Sequence, residues 1–133
     1  MNLRPATLDD AALLFAWRND PATRHASRNH AAITAEEHRA WLLRSLSNRT
    51  RRLYLAEVDG TPVGTCRSDL TEHGWELSWT IATEHRRQGY GRTMVGLLVE
   101  QTPQPYFAEI YGQNTASVRI AEQCGIPVHV LGA

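Results

Sequence analysis

The sequence predicts an α+β (mixed α/β) domain, a mostly antiparallel twisted sheet of about six strands flanked by about four helices. Three observations lead there. Segments with apolar residues at helical spacing interleave with short alternating segments along the whole chain. Two turn signals, Asp59-Gly60 and His73-Gly74, separate apolar runs and fold consecutive strands back on one another. An alternating stretch, Trp75 to Ala82, then passes through a basic glycine loop into the apolar run Met94 to Val99, giving strand, loop and helix in that order.

Each element has a local reason. Asn2 to Pro5 is a short first strand. Thr7-Leu8-Asp9-Asp10 opens a helix with a capping-box pattern in which Asp replaces the usual Glu or Gln. That helix runs to Asn19, where Asp20-Pro21 stops it. Ala22 to Ala32 is polar and has no clear period. Thr34-Ala35-Glu36-Glu37 is a cleaner capping box, starting a helix with Trp41, Leu42 and Leu46 on or near one face. Arg52 to Val58 and Val63 to Ser68 are the strands joined by Asp59-Gly60, and a third antiparallel strand follows His73-Gly74. Beyond the glycine loop come a helix over about Gly89 to Gln101 and a strand from Tyr106 to Tyr111. Asn114 then caps a helix with Val118, Ala121 and Cys124 in an apolar stripe and Ile120 alongside; Gly125 and Pro127 end it. Val128 to Leu131 is a last short strand.

Composition narrows the class. A chain of 133 residues, 42% apolar and 21% charged, is expected to form a single domain over residues 1–133. Zero formal net charge gives neither nucleic acid nor an anionic membrane a bulk attraction. The N-terminus carries no apolar signal core and no 18-residue apolar run occurs, so a cytoplasmic protein is expected. Basic residues cluster locally, at Arg49 to Arg52, expected as a solvated loop entering a strand, and at Arg86 to Arg92. Cys66 and Cys124 make no disulfide framework and are expected as small core residues. The six histidines show neither HExxH nor short paired spacing, so no metal site is expected.

The loop His85-Arg86-Arg87-Gln88-Gly89-Tyr90-Gly91 carries the chemistry. Gly89 and Gly91 lack Cβ atoms and let backbone N–H groups approach a ligand oxygen. The helix N-terminus favours negative charge, and Arg86, Arg87 and Arg92 add cationic forked donors. A pyrophosphate suits such a loop. The spacing is not a Walker loop, which needs Gly-Lys-Ser/Thr, nor a dinucleotide fingerprint, which needs a third glycine.

The pattern Arg86-x-x-Gly89-x-Gly91 resembles the acyl-CoA loop of the GCN5-related N-acetyltransferases. Glu109 to Ile126 is similar to that family's fifth strand and fourth helix. Leu3 to Asp10, Phe15 to Pro21 and Ile33 to Leu42 resemble its PseH type, which modifies a UDP-linked amino sugar, and its RimJ/RimL type, which acetylates protein N-termini. Together these segments span most of the chain from Leu3 to Ile126.

The resemblance implies acetyl-CoA as donor, a primary amine as acceptor, and no metal. It implies that the fourth and fifth strands splay and that pantetheine lies between them, bonded by backbone groups around Trp79 and Ile81. Backbone N–H groups of Arg86, Arg87, Gln88, Gly89, Tyr90 and Gly91, with Arg92 near, would cradle the pyrophosphate. Asn114 and Ser117 match positions that contact the CoA arm, and Asn114 also suits a plain N-cap. Glu109 matches a strand Glu used as general base, with Glu76 and Ser78 as alternatives. Many relatives place a Tyr general acid where this chain has Ala121; Tyr111 or Tyr90 could substitute, and no acid is assigned. Trp17, Arg18, Asn19, His38 and Trp41 fall where relatives bind acceptors, or else in core and surface. Relatives usually continue past the fourth helix with a hairpin that walls the acceptor pocket. Here a second subunit, as in a homodimer, or the N-terminal helices could supply that wall. The expected acceptor is a small-molecule amine such as an amino-sugar nucleotide; a protein N-terminus and a non-catalytic CoA-binding module are the alternatives.

Overall fold

Neighbouring residues of a strand point to opposite faces, and on β2 (Arg51–Val58) this sends Leu55 and Ala56 into two different cores. The structure, a computed structural model, describes residues 1–27 and 30–132. Among the described residues six strands lie in chain order across the sheet, β2 joined by β1 (Asn2–Pro5), β3 (Thr61–Thr71), β4 (Gly74–Ile81), β5 (Tyr106–Tyr111) and β6 (Val128–Leu131). The first three pairings are antiparallel. The last two are parallel, each bridged by a crossover helix, α4 (Tyr90–Glu100) and then α5 (Thr115–Gln123). The mostly antiparallel α+β expectation holds.

One core lies between the sheet and α4 and α5, where Met94, Val95, Leu98 and Ala121 meet Cys66, Leu77, Ala108 and Ile110. On the other face α1 (Ala11–Asn19) and α3 (Ala35–Ser47) place Leu14, Trp17 and Leu42 with Leu55 and Ala82. The N-terminal segment is pinned by charge. Arg4 grips the Asp10 carboxylate with both Nη groups, at 2.9 and 2.7 Å, and Asp10 also accepts the Thr7 N–H at 2.9 Å. That is the capping box expected from Thr7 and Asp10.

The hairpins form where predicted. Asp59 and Gly60 both take positive φ, 50° and 79°, as a two-residue turn requires. Gly74 has φ 115°, and a Cβ there would lie 2.5 Å from the Pro105 carbonyl oxygen, so glycine alone fits where β4 starts beside β5.

Three expectations are corrected. The polar segment after Asn19 is partly helical, because Asp20-Pro21 starts a helix as well as ending one. The Asp20 carboxylate accepts from the N–H groups of Ala22 at 3.0 Å and Thr23 at 3.3 Å, capping α2 (Pro21–Ala26) with Pro21 in its first turn. Of the remaining polar segment, Arg28 and Asn29 lie outside the described residues. On α3 the buried stripe is His38, Leu42 and Ser45, while Leu46 is 39% exposed. Arg51 and Arg52 belong to β2 and are engaged: Arg51 bonds Asp69 and Ser45, and Arg52 lies 4.6 Å from the Trp75 ring centroid.

Candidate active site

The sheet opens between β4 and β5. Only Trp75↔Tyr106 and Glu76↔Phe107 pair across them. Beyond that point β4 stays paired with β3 as far as Ile81, while β5 pairs with β6 from Ala108 to Tyr111. From Leu77 onward the β5-facing edge of β4 has no strand beside it among the described residues. An open edge of backbone N–H and C=O groups is a slot for an extended ligand with amides of its own. A cleft of about 1020 Å³ runs through this opening.

At one end of the cleft stands the N-terminus of α4. Gly89 is its N-cap, with φ 79° and no side chain to cap the first N–H groups. Arg87, just before, also has positive φ, 64°. This run of turned backbone delivers N–H groups and the positive end of the helix dipole into the cleft. The two glycines serve different ends. A Cβ on Gly89 would meet nothing within 4 Å, so its backbone conformation is what selects glycine. A Cβ on Gly91 would lie 2.8 Å from Ile120 Cδ1, so Gly91 lets α4 and α5 close up.

Arg86 lines the cleft, and its guanidinium is partly engaged by the protein. Its Nε donates to the Ile81 carbonyl at 3.0 Å and one Nη to Thr23 Oγ1 at 3.2 Å, bracing the end of β4 against α2. Arg87, Gly89, Tyr90, Gly91 and Arg92 line the cleft, as do Trp79 and Ile81 of β4 and Asn114 and Ser117 of α5. Gln88 is exposed and does not line it. Asn114 caps α5, its Oδ1 accepting the Ser117 N–H at 3.3 Å, so the plain capping role is present at a cleft-lining position. The Trp79 indole Nε1 is buried and has no hydrogen-bond partner, a donor waiting for an acceptor. The slot, the uncapped helix end and this orphaned donor all fit the amide-rich arm and phosphates of CoA.

The other end of the cleft lies under α1, α2 and α3. Glu76 and Ser78 alternate with Leu77 and Trp79, and Glu109 with Ala108 and Ile110, so these polar side chains share the face opposite the α4–α5 core. Continuing the β4–β5 register past the last pair sets Ser78 opposite Glu109 across the opening. Glu109 is half-buried. Ala121 sits fully buried in the core, so a hydroxyl is missing there, while Tyr90 and Tyr111 both line the cleft.

The N-terminal candidates divide. Trp17 is a core residue whose edge reaches the cleft, and Arg18 lines it. Asn19 is structural: its amide clamps Ile33, donating to the carbonyl at 2.8 Å and accepting the N–H at 3.0 Å. His38 is buried between Phe15 and Trp41, with ring centroids 5.7 and 5.5 Å away. Burial, then the charge of Arg18, lowers its pKa, which keeps it neutral. Burial also pushes the Cys66 thiol up to about 12, as expected of an inert core cysteine. Sequence reasoning passed over Arg67, which lines the cleft from the middle of β3; an Arg amid alternating strand residues was the available signal.

No helix among the described residues is long and apolar enough to cross a membrane, and no group of three or more metal-ligating side chains occurs among them. The family model described as an acetyltransferase (GNAT) domain matches residues 1–126. Ribosomal-protein-alanine N-acetyltransferase from Brucella melitensis superposes with a TM-score of 0.80 at 26% identity, over 94% of this chain and 83% of that one. Spermidine N-acetyltransferase from Vibrio cholerae, solved with CoA and spermine, gives 0.83 at 15% identity over 93% and 79%. The aminoglycoside acetyltransferase AAC(6')-Ib, solved with coenzyme A, gives 0.79 at 22% identity over 93% and 82%. No curated protein matches the chain. The open sheet, the glycine loop at a helix N-terminus and the matched domain agree: the chain belongs to the GNAT family of N-acetyltransferases, which use acetyl-CoA as acetyl donor.

Proposed function

We propose that this cytoplasmic enzyme acetylates the primary amine of a small molecule, with an amino-sugar nucleotide as the leading class. The parting of β4 and β5 after Glu76 and Phe107, with Glu109 on the acceptor face just beyond it, carries the reading. Acetyl-CoA supplies an activated thioester. The open edge of β4 around Trp79 and Ile81 holds its pantetheine arm, and the backbone from Arg87 to Gly91 holds its pyrophosphate, with Arg92, Asn114 and Ser117 alongside. Arg86 acts through the loop it braces. Backbone N–H groups fixed before reaction stabilise charge on the acyl oxygen without reorganising. Glu109 takes the amine proton, directly or through water, because only the neutral amine attacks.

Replacing Glu109 by Gln removes the base and keeps the shape. Turnover should fall about 100-fold or more, with acetyl-CoA affinity unchanged. Unchanged turnover dismisses Glu109 and leaves Glu76 or Ser78. Acetylation of a protein N-terminus is the second reading, favoured by likeness to the Brucella ribosomal-protein-alanine enzyme. Acetyl-CoA turnover with an amino-sugar nucleotide against a peptide beginning with Ala separates the two.

A further inference from the structure

Arg67 has no place in the chemistry described so far, yet it lies in the cleft. It projects from the middle of β3 on the acceptor face, opposite in sense to its buried neighbour Cys66. Its Nε donates to Asp69 Oδ2 at 3.0 Å, and its guanidinium carbon lies 5.5 Å from the Trp41 ring centroid. These contacts fix the plane of the fork. No described residue accepts from its Nη groups, and the side chain keeps 30% of its surface exposed. Asp69 does not neutralise Arg67 alone, because Arg51 binds the other oxygen of the same carboxylate. Glu76 and Glu109 are further carboxylates on this face and Arg18 a further cation at the cleft wall.

We infer that Arg67 forms an anion subsite in the acceptor half of the cleft, so that the acceptor is an amine that also carries a phosphate or carboxylate. The inference rests on the acetyl-acceptor reading above. Arg67 is the Cα partner of Ser78, and Ser78 falls opposite Glu109 when the register is continued. Arg67 and Glu109 stand two strands apart, about 10 Å or more because β4 and β5 have parted here. The long Arg67 side chain brings the anion to roughly 5–10 Å from the amine presented to Glu109. That is the reach of one sugar ring. A planar fork held by Asp69 and Trp41 suits bidentate binding of an oxyanion.

The test is equilibrium binding of three amines to the CoA-bound protein: glucosamine, glucosamine 6-phosphate and 2-amino-2-deoxyglucuronic acid. The wild type should bind at least one anionic amine about tenfold or more tighter than glucosamine. Which of the two it prefers assigns phosphate or carboxylate. Arg67→Met should erase the preference and leave acetyl-CoA affinity unchanged. Arg67→Lys keeps a charge without the fork and should retain only part of the preference. Should Arg67→Met fail to fold, Arg67→Lys decides: a preference equal to wild type overturns the subsite. No preference in the wild type, or one that survives in Arg67→Met, overturns it too. The readout needs no turnover. An inactive protein that prefers anionic amines keeps the subsite and removes the catalytic proposal, whereas an active one without the preference removes only the subsite.

Discussion

Arg86 and Arg87 are adjacent, and the structure predicts that losing them has opposite consequences. The Arg86 guanidinium makes two part-buried bonds, to the Ile81 carbonyl at 3.0 Å and Thr23 Oγ1 at 3.2 Å, tying together residues 63 positions apart. A hydrogen bond from a charged donor contributes about 1.5–3 kcal/mol, and partial exposure brings the pair to about 2 kcal/mol in total. For a domain of this size that loss lowers Tm by about 7 °C. Arg87 is exposed, already sits at φ 64°, and touches the cleft. Arg87→Ala should therefore leave Tm within about 2 °C and weaken acetyl-CoA binding by a factor of about 2–5, the size of one exposed phosphate contact. Thermal melts and acetyl-CoA titrations of Arg86→Met and Arg87→Ala check both. An Arg86→Met protein with unchanged Tm and abolished acetyl-CoA binding would refute the bracing role and return Arg86 to the phosphates.

Two further outcomes concern pH. The Arg4 guanidinium, bonded to Asp10, is the main cause holding that carboxyl below its ordinary range. Its stabilisation is therefore complete above about pH 4 and is lost as pH falls through the depressed value; Asp10→Asn should cost about 2 kcal/mol near neutrality and flatten that acid limb in denaturant melts. His38, its pKa lowered by burial, is more basic in the unfolded chain, so stability is full above about pH 6.5 and declines as pH falls toward the depressed value. His38→Phe, which keeps a ring between Phe15 and Trp41, should remove that decline in melts between about pH 5 and 8.

What the sequence made legible was local chemistry. The Thr7 and Thr34 capping boxes, the Asp59-Gly60 turn, Asn114 before α5 and Gly125 after it depend on residues a few positions apart, and all stand where expected. The glycine loop was legible for the same reason. Long-range partners were not. Thr23, which occupies Arg86, lies on a six-residue helix with one buried side chain, too short to show a period. His38, left open between acceptor site, core and surface, leads the buried stripe of α3, while the expected face included Leu46. Arg67 looked like any residue of a returning strand, because its neighbours in the cleft come from β4, α1 and α3. The opening of the sheet was expected only through the resemblance; it arises from a parallel register that ends after two pairs, which no local pattern encodes.

The central claim is that the glycine loop and the open edge of β4 hold acetyl-CoA, and Gly89→Asp tests it most directly. A Cβ there meets nothing within 4 Å, and at φ 79° Asp is among the better-tolerated non-glycine residues, so the fold survives while a negative charge enters the anion site. Calorimetric titration with acetyl-CoA should show micromolar binding to the wild type and binding at least about tenfold weaker in Gly89→Asp, with Tm unchanged within about 3 °C. Equal affinity in the two proteins, or no binding by the wild type, would contradict the account.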